Sequence, residues 1–189
     1  MRHKYETRGI VLARTHGGEA TTFVTLLTSD LGLVQARAQS LRKSGAKLAH
    51  ALTTFAESSV VLVHGKDGWR VTGAVLEENW FARISRPETR AAAARVSGLL
   101  LRLVAGEEQD RKLFSILKGF LDALTTLSED LHEAAEILVV LRILATLGLD
   151  AGEIPGIASD FTPALLATIL ENRVVYVARI NNGIVVSGL

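Results

Sequence analysis

No cysteine occurs among the 189 residues. Disulfides, thiolate zinc sites and cysteine nucleophiles are therefore excluded. Charge of either sign is not in excess: 21 Lys and Arg against 20 Asp and Glu leave a formal net charge of +1. This is no broadly basic nucleic-acid coat. Aromatic residues make up only 5% of the chain, which leaves few rings for stacking bases. The most apolar run, Ile137 to Leu149, is interrupted by Arg142 and is too short to span a bilayer. The N-terminal stretch MRHKYETRG has no apolar signal region. These absences predict a soluble, cytoplasmic protein.

Catalytic signatures are also missing. The five histidines (His3, His16, His50, His64, His132) are scattered, and no pair has metal-ligand spacing. The chain has no glycine-rich phosphate loop ending in Gly-Lys-Ser/Thr, no G-x-S-x-G and no H-E-x-x-H. Glu77 and Glu78 are adjacent carboxylates, but neighbours in a strand or helix point apart. The expectation is a binding or scaffolding protein, without a cofactor or metal, rather than an enzyme. An enzyme working through an unmarked carboxylate site is the least favoured alternative. A nuclease would need clustered acids near the nucleic acid, and residues 31–56 contain none.

What is present divides into two halves. Residues 1–80 carry ten Lys and Arg against seven Asp and Glu, whereas residues 81–189 carry eleven against thirteen. The first half has β-type patterning. Gly9–Ala13 is a short apolar run, Thr21–Thr28 is rich in β-branched residues, and Leu33–Ala38 alternates. Ser59–His64 is a further β-branched run, and from Trp69 to Val75 apolar residues again alternate with polar ones. Ala46–Leu52 has room for one or two helical turns. Five short strands, broken between the third and the fourth, fit a Greek-key barrel of the OB type, and an SH3-like barrel almost as well.

The second half changes to a helical period. Ser85-Arg86-Pro87-Glu88 reads as a capping box. Val96, Leu99, Leu100, Leu103 and Val104 then share one helical face, as do Leu113, Ile116, Leu117, Phe120, Leu121 and Leu124. A third helix, with Ser128 at its start, runs to Leu147. It is apolar nearly all round from Ile137, which predicts a place at the centre of a bundle. Thr162-Pro163 starts a short helix. Residues 174–187 suit either a hairpin turning at Asn181-Asn182-Gly183 or a helix. The fold class expected is α+β: an N-terminal five-stranded OB-type barrel (residues 1–80), then an all-α domain (residues 81–189).

The candidate binding surface surrounds the third strand. Val34, Ala36 and Ala38 share one face, so Arg37 lies on the other. Arg42, Lys43 and Lys47 follow in a loop, and no carboxylate lies between Asp30 and Glu57. Cations without counter-charges suit phosphate; a solvated loop kept soluble by its lysines is the plainer alternative. Arg14, Arg37, Arg42, Lys43 and Lys47 are the candidate nucleic-acid contacts. Phe23, Phe55 and Trp69 are expected to pack the barrel rather than stack bases. Arg142, the lone cation in a strongly apolar helix, is a candidate for receiving a partner's C-terminal carboxylate. An internal ion pair or a snorkelling side chain would serve it equally.

A family resemblance rests on short motifs in order. They are T-x-G-I-V-L (Thr7, Gly9, Ile10, Val11, Leu12), G-E (Gly18, Glu19), L-L-T-x-x-x-G (Leu26, Leu27, Thr28, Gly32) and A-L-x-x-F (Ala51, Leu52, Phe55). Arg86-Pro87-Glu88 and Leu144–Gly148 (LATLG) continue the series. Together they resemble the RecO family of bacterial recombination mediators. The closing Ile180-Asn181-Asn182-Gly183-Ile184 resembles the last helix of shorter relatives, which favours helix there. The resemblance implies an OB-fold N-terminal domain and a helical C-terminal domain. It also implies binding and annealing of single-stranded DNA in repair, and loading of recombinase onto strands coated by single-strand binding protein. The partners implied are a RecR-like protein and the C-terminal tail of single-strand binding protein. The chain also departs from the family. It lacks the four-cysteine zinc site of many members, Leu33 stands where a lysine often follows the turn glycine, and Ser40-Leu41 replaces a glycine-containing element. A protein-interaction adaptor with weak DNA binding is therefore the alternative function.

Overall fold

The structure is a computed structural model and describes residues 3–17, 21–39, 47–104, 106–107 and 111–189, with the side chain of Lys47 excepted. It divides into two compact units. One comprises Met1–Arg83 with Val104–Phe114; the other comprises Ile84–Leu103 with Ser115–Leu189. The first unit is thus discontinuous, whereas the sequence suggested a single boundary near residue 80.

The first unit contains strands β1 (Lys4–His16), β2 (Thr21–Thr28) and β3 (Leu33–Gln39), helix α1 (Lys47–Ala51), strands β4 (Ala56–Gly65) and β5 (Gly68–Asn79), and the one-turn helix α2 (Trp80–Arg83). The strands close into a barrel in the order β1-β2-β3-β5-β4. β1 pairs antiparallel with both β2 and β4. β3 and β5 close the cylinder by a short parallel bridge, Ala36 with Trp69 and Arg37 with Arg70. This closed, five-stranded, OB-like order leaves few open edges. Its core is built from one residue in two along each strand: Val11, Val24, Leu26, Val34, Ala36, Ala38, Val60, Leu62, Trp69 and Val71, with Leu52 from beyond α1.

Several of the motifs prove to be devices of this barrel. Thr28 closes the β2–β3 turn: its hydroxyl donates to Gly32 O (2.8 Å) and accepts from Leu31 N (2.9 Å). Gly32 takes φ +70°, where a side chain is disfavoured. Thr7 Oγ1 reaches across to Asp30 Oδ2 (3.0 Å), tying β1 to that turn. Phe55 has φ +60° between α1 and β4. Its N–H donates to Val11 O (2.9 Å) and its carbonyl accepts from Trp80 N (3.1 Å), so its backbone links β1 to α2. The segment Val104–Phe114 joins this unit through Arg111, paired with Asp30 (3.1 Å), and Phe114, buried beneath the Arg8 guanidinium.

One alternation inverts. Val75 would face the core if the phase set by Trp69 and Val71 continued, but it is 66% exposed. The register with β4 shifts between Val61 and Leu62: Leu62 faces Val71, while Val61 faces Gly73. Thr72 is the extra residue of this bulge, and beyond it the strand presents Ala74 to the core instead.

The second unit holds α3 (Pro87–Leu103), most of α4 (Arg111–Thr126), a 3₁₀ turn (Glu129–Leu131), α5 (His132–Thr146), α6 (Pro163–Glu171) and α7 (Arg173–Ser187). α3 opens at Pro87, and Arg90 N donates to Arg86 O. Arg86 therefore occupies the cap position, not Ser85. Ser128 precedes the 3₁₀ turn without a side-chain cap bond, and α5 begins only at His132. α5 is central and packs against α3, α6 and α7. The chain's last segment is a helix. Gly183 lies in its interior, where a Cβ would stand 3.0 Å from Leu144 Cδ1 and 3.1 Å from Leu149 O. Asn181-Asn182-Gly183 is thus a close-approach point on α5 rather than a turn. Among the described residues no helix is long and apolar enough to cross a membrane.

Asp30 supplies a pH test of the first unit. Hydrogen bonds from Ser29 and Thr7, and then Arg111, hold its carboxyl below the usual 3.8. A depressed carboxyl stabilises the fold above its unfolded pKa, and that stability is lost as pH falls through the folded value. Both tryptophans, Trp69 and Trp80, lie in this unit. Urea titrations followed by tryptophan fluorescence should show stability dropping below about pH 4, with a shallower drop in Asp30→Asn.

Candidate nucleic-acid interface

The β3–β5 bridge decides which cations meet. Arg37 and Arg70 are directly in register across it. Phe23 pairs with Arg37 on the other side, and Val63 pairs with Arg70. Lys4 pairs in turn with Val63. Cross-strand partners project to the same face, so Lys4, Val63, Arg70, Arg37 and Phe23 form one outward row across five neighbouring strands. A cleft of about 110 Å³ opens on this row, lined by Arg37, Val63, Lys66, Asp67, Trp69 and Arg70 and by the turn glycines Gly65 and Gly68.

Electrostatically the row is open. Among the described residues Lys4, Arg37, Lys66 and Arg70 form no ion pair; Asp67 is the one carboxylate lining the cleft. Arg37 packs over a ring. Its guanidinium lies 5.8 Å from the Phe23 ring centroid, and its Nε is buried without a hydrogen-bond partner. Arg8 contrasts with it, its Nε donating to Glu57 Oε1 (2.7 Å). Beside the cleft, Trp69 takes edge-on contacts from Tyr5 (5.1 Å) and His64 (4.8 Å), and its Nε1 donates to Glu107 Oε1 (2.5 Å). Such a surface can hold phosphates by charge and offers rings at its margin.

The sequence-predicted contacts distribute unevenly. Arg37 lies in the row. Arg14 does not: it pairs with Val24, a core residue, and so lies half-buried on the inner-facing side of β1. Lys47 opens α1. Arg42 and Lys43, with Gly18, Glu19, Ser40 and Leu41, lie outside the described residues. Phe55 and Trp69 pack the barrel as expected, but Phe23 is on the outside under Arg37. Lys66 and Arg70 also line the cleft, without standing out in the sequence. Lys66 sits in the tight turn Gly65–Gly68, and Arg70 is the polar half of an alternation. The available signal was parity, since Arg37 and Arg70 both occupy the polar phase of their strands. No group of three or more His, Asp or Glu among the described residues converges as a metal site.

Arg142 is placed in the helical unit and is only 4% exposed. Its guanidinium donates to Asp160 O (2.7 Å), Pro155 O (3.1 Å) and Ala158 O (3.2 Å), and lies 4.9 Å from the Phe161 ring. Burial lowers its pKa to about 10, opposed by the charge of Asp160. Gly156, at φ +75°, leaves the space: a Cβ there would stand 3.0 Å from Arg142 Nη2. Arg142 thus organises the loop after α5. It does not open onto a groove, and its hydrogen-bond donors serve that loop instead of a partner's carboxylate.

Comparison with known proteins fits this geometry. Residues 1–78 match the family model described as recombination protein O N terminal. Over these residues the chain is similar to the N-terminal domain of the RecO family. The DNA repair protein RecO of Dehalococcoides mccartyi is 34% identical over 122 residues, covering 65% of this chain and 48% of the relative. The RecO of Rubrobacter xylanophilus is 29% identical over 169 residues, covering 85% and 67%. That of Roseiflexus is 34% identical over 121 residues, covering 64% and 42%. The chain spans about half the length of most of these relatives.

Replacing Arg142 by methionine keeps the apolar stem and removes the donors. Three carbonyls lose their partners, so the helical unit should lose about 2–4 kcal/mol. The midpoint of urea unfolding, read by far-ultraviolet circular dichroism, measures this.

Proposed function

We propose that this protein is a DNA-repair protein that binds single-stranded DNA on the outer face of its barrel, through Lys4, Arg37, Lys66 and Arg70. The observation that carries the reading is the carboxylate-poor row set by the β3–β5 bridge. In OB folds generally, the faces of the second and third strands and the loop between the fourth and fifth hold oligonucleotides. Here that region contains Phe23 and Arg37, with Lys66 and Arg70 at the β4–β5 turn. The names of the relatives support a repair role. On the same reading the protein anneals strands and helps load recombinase on DNA coated by single-strand binding protein. Its partners would be a RecR-like protein and the tail of single-strand binding protein. It acts by binding, without substrate turnover. The departure at Leu33 keeps the adaptor with weak DNA affinity as a second reading.

Binding here is electrostatic and indifferent to sequence. Four phosphates neutralised on a single strand give a slope of log affinity against log salt of about −3. The test is fluorescence anisotropy with a labelled oligothymidine across a salt series. Replacing Arg37, Lys66 and Arg70 together with alanine should bring the slope to about −1. An unchanged slope would remove this face from the interface. Flattening only on replacement of Arg42, Lys43 and Lys47 would move the interface to the loop. No binding at low salt would favour the adaptor.

A further inference from the structure

The helical unit has a groove that the barrel's role does not use. It runs over α5 between α3 and α7 and encloses about 590 Å³, within the size range of ligand-binding clefts. Its floor is apolar: Ala92 of α3, Ile137 and Val140 of α5, and Val177 and Ile180 of α7. Val140, Val177 and Ile180 are only half-buried. The paired residues on α5 and on α7 are each three positions apart, so both walls present one turn of side chains along the groove.

The rim decides the occupant. Four glutamates line it, Glu88, Glu129, Glu133 and Glu136, against two arginines, Arg86 and Arg95. Both arginines are already engaged. Arg86 pairs with Glu129, and Arg95 grips Glu136 with Nε (2.6 Å) and Nη2 (2.7 Å). Glu133 is held from α7 by Arg173 (2.7 Å). Glu88, exposed in the first turn of α3, forms no ion pair among the described residues. An incoming carboxylate would meet surplus negative charge and no uncommitted arginine. An incoming lysine or arginine would meet Glu88 and the outer oxygens of paired glutamates.

We propose that this groove docks a short amphipathic helix of a partner protein, with its apolar side on the floor and flanking lysines or arginines against the rim. This is helix-in-groove recognition, anchored at positions three and four apart. It is independent of the DNA-binding reading, since every residue named lies in the helical unit.

The probe is a fluorescein-labelled peptide of about 14 residues with leucine on one face and lysine on the other, paired with a twin in which glutamate replaces lysine. Anisotropy titration with the full chain should show the lysine peptide binding about tenfold more tightly or better. Glu88→Lys, at an exposed position, should weaken it about threefold. Val177→Ser should weaken it about fivefold with the circular dichroism spectrum unchanged. Equal binding of the twins, tighter binding of the acidic one, or no binding of either overturns the proposal. So does lysine-peptide binding that ignores both substitutions. If Val177→Ser perturbs the fold, the peptide pair on the unaltered chain and Glu88→Lys still decide.

Discussion

The barrel closes on a two-residue parallel bridge between β3 and β5, and the proposed interface depends on that bridge. A sheet left open there would separate Arg37 from Arg70 by its full width. Closure places them side by side, with Phe23 beneath one and the β4–β5 turn beside the other. Arginines in such a position cost the fold little while their heads reach water. Arg37 is the exception, with a buried Nε left without a partner. A buried donor without an acceptor is unfavourable by about 1–3 kcal/mol, and an arriving phosphate oxygen is a natural acceptor for the same guanidinium.

The two units treat charge differently. In the barrel, Arg8 and Arg111 are matched to Glu57 and Asp30 and hold structure, while the cations of the row are left open. In the helical unit five arginines are committed. Arg142 serves carbonyls, Arg179 serves Asp150, and Arg86, Arg95 and Arg173 serve glutamates. This is why Arg142 gives no docking point for an acidic tail, although it stood out in the sequence. A buried guanidinium in an apolar helix must be satisfied from within, and the loop from Pro155 to Asp160 does so.

Much of the fold was legible because side-chain period is a strong signal. The five strands follow from alternation and β-branched runs, the central α5 from its apolar spacing, and the short helix from Thr162-Pro163. Resemblance, rather than periodicity, favoured a helical ending, and Gly183 shows why the turn motif misled: it serves packing on α5. The bulge at Thr72 was not legible. A one-residue register shift leaves the local pattern looking regular while sending Val75 outward. The site was legible only in part, because pairing between β3 and β5 is a long-range choice. Arg37 could be assigned to an outer face from its own strand, but nothing local to Arg70 says that it lies beside Arg37. Arg14 lies on the inner-facing side for a related reason: the register shift between Val11 and Ala13 changes the face that later residues present.

The most direct test maps the surface rather than the affinity. Amide and side-chain chemical shifts of the full chain can be recorded by NMR with and without a short oligothymidine. The account predicts shifts concentrated at Lys4, Phe23, Arg37, Lys66 and Arg70, including the Arg37 Nε–H. Shifts confined to the helical unit, with this row silent, would contradict it.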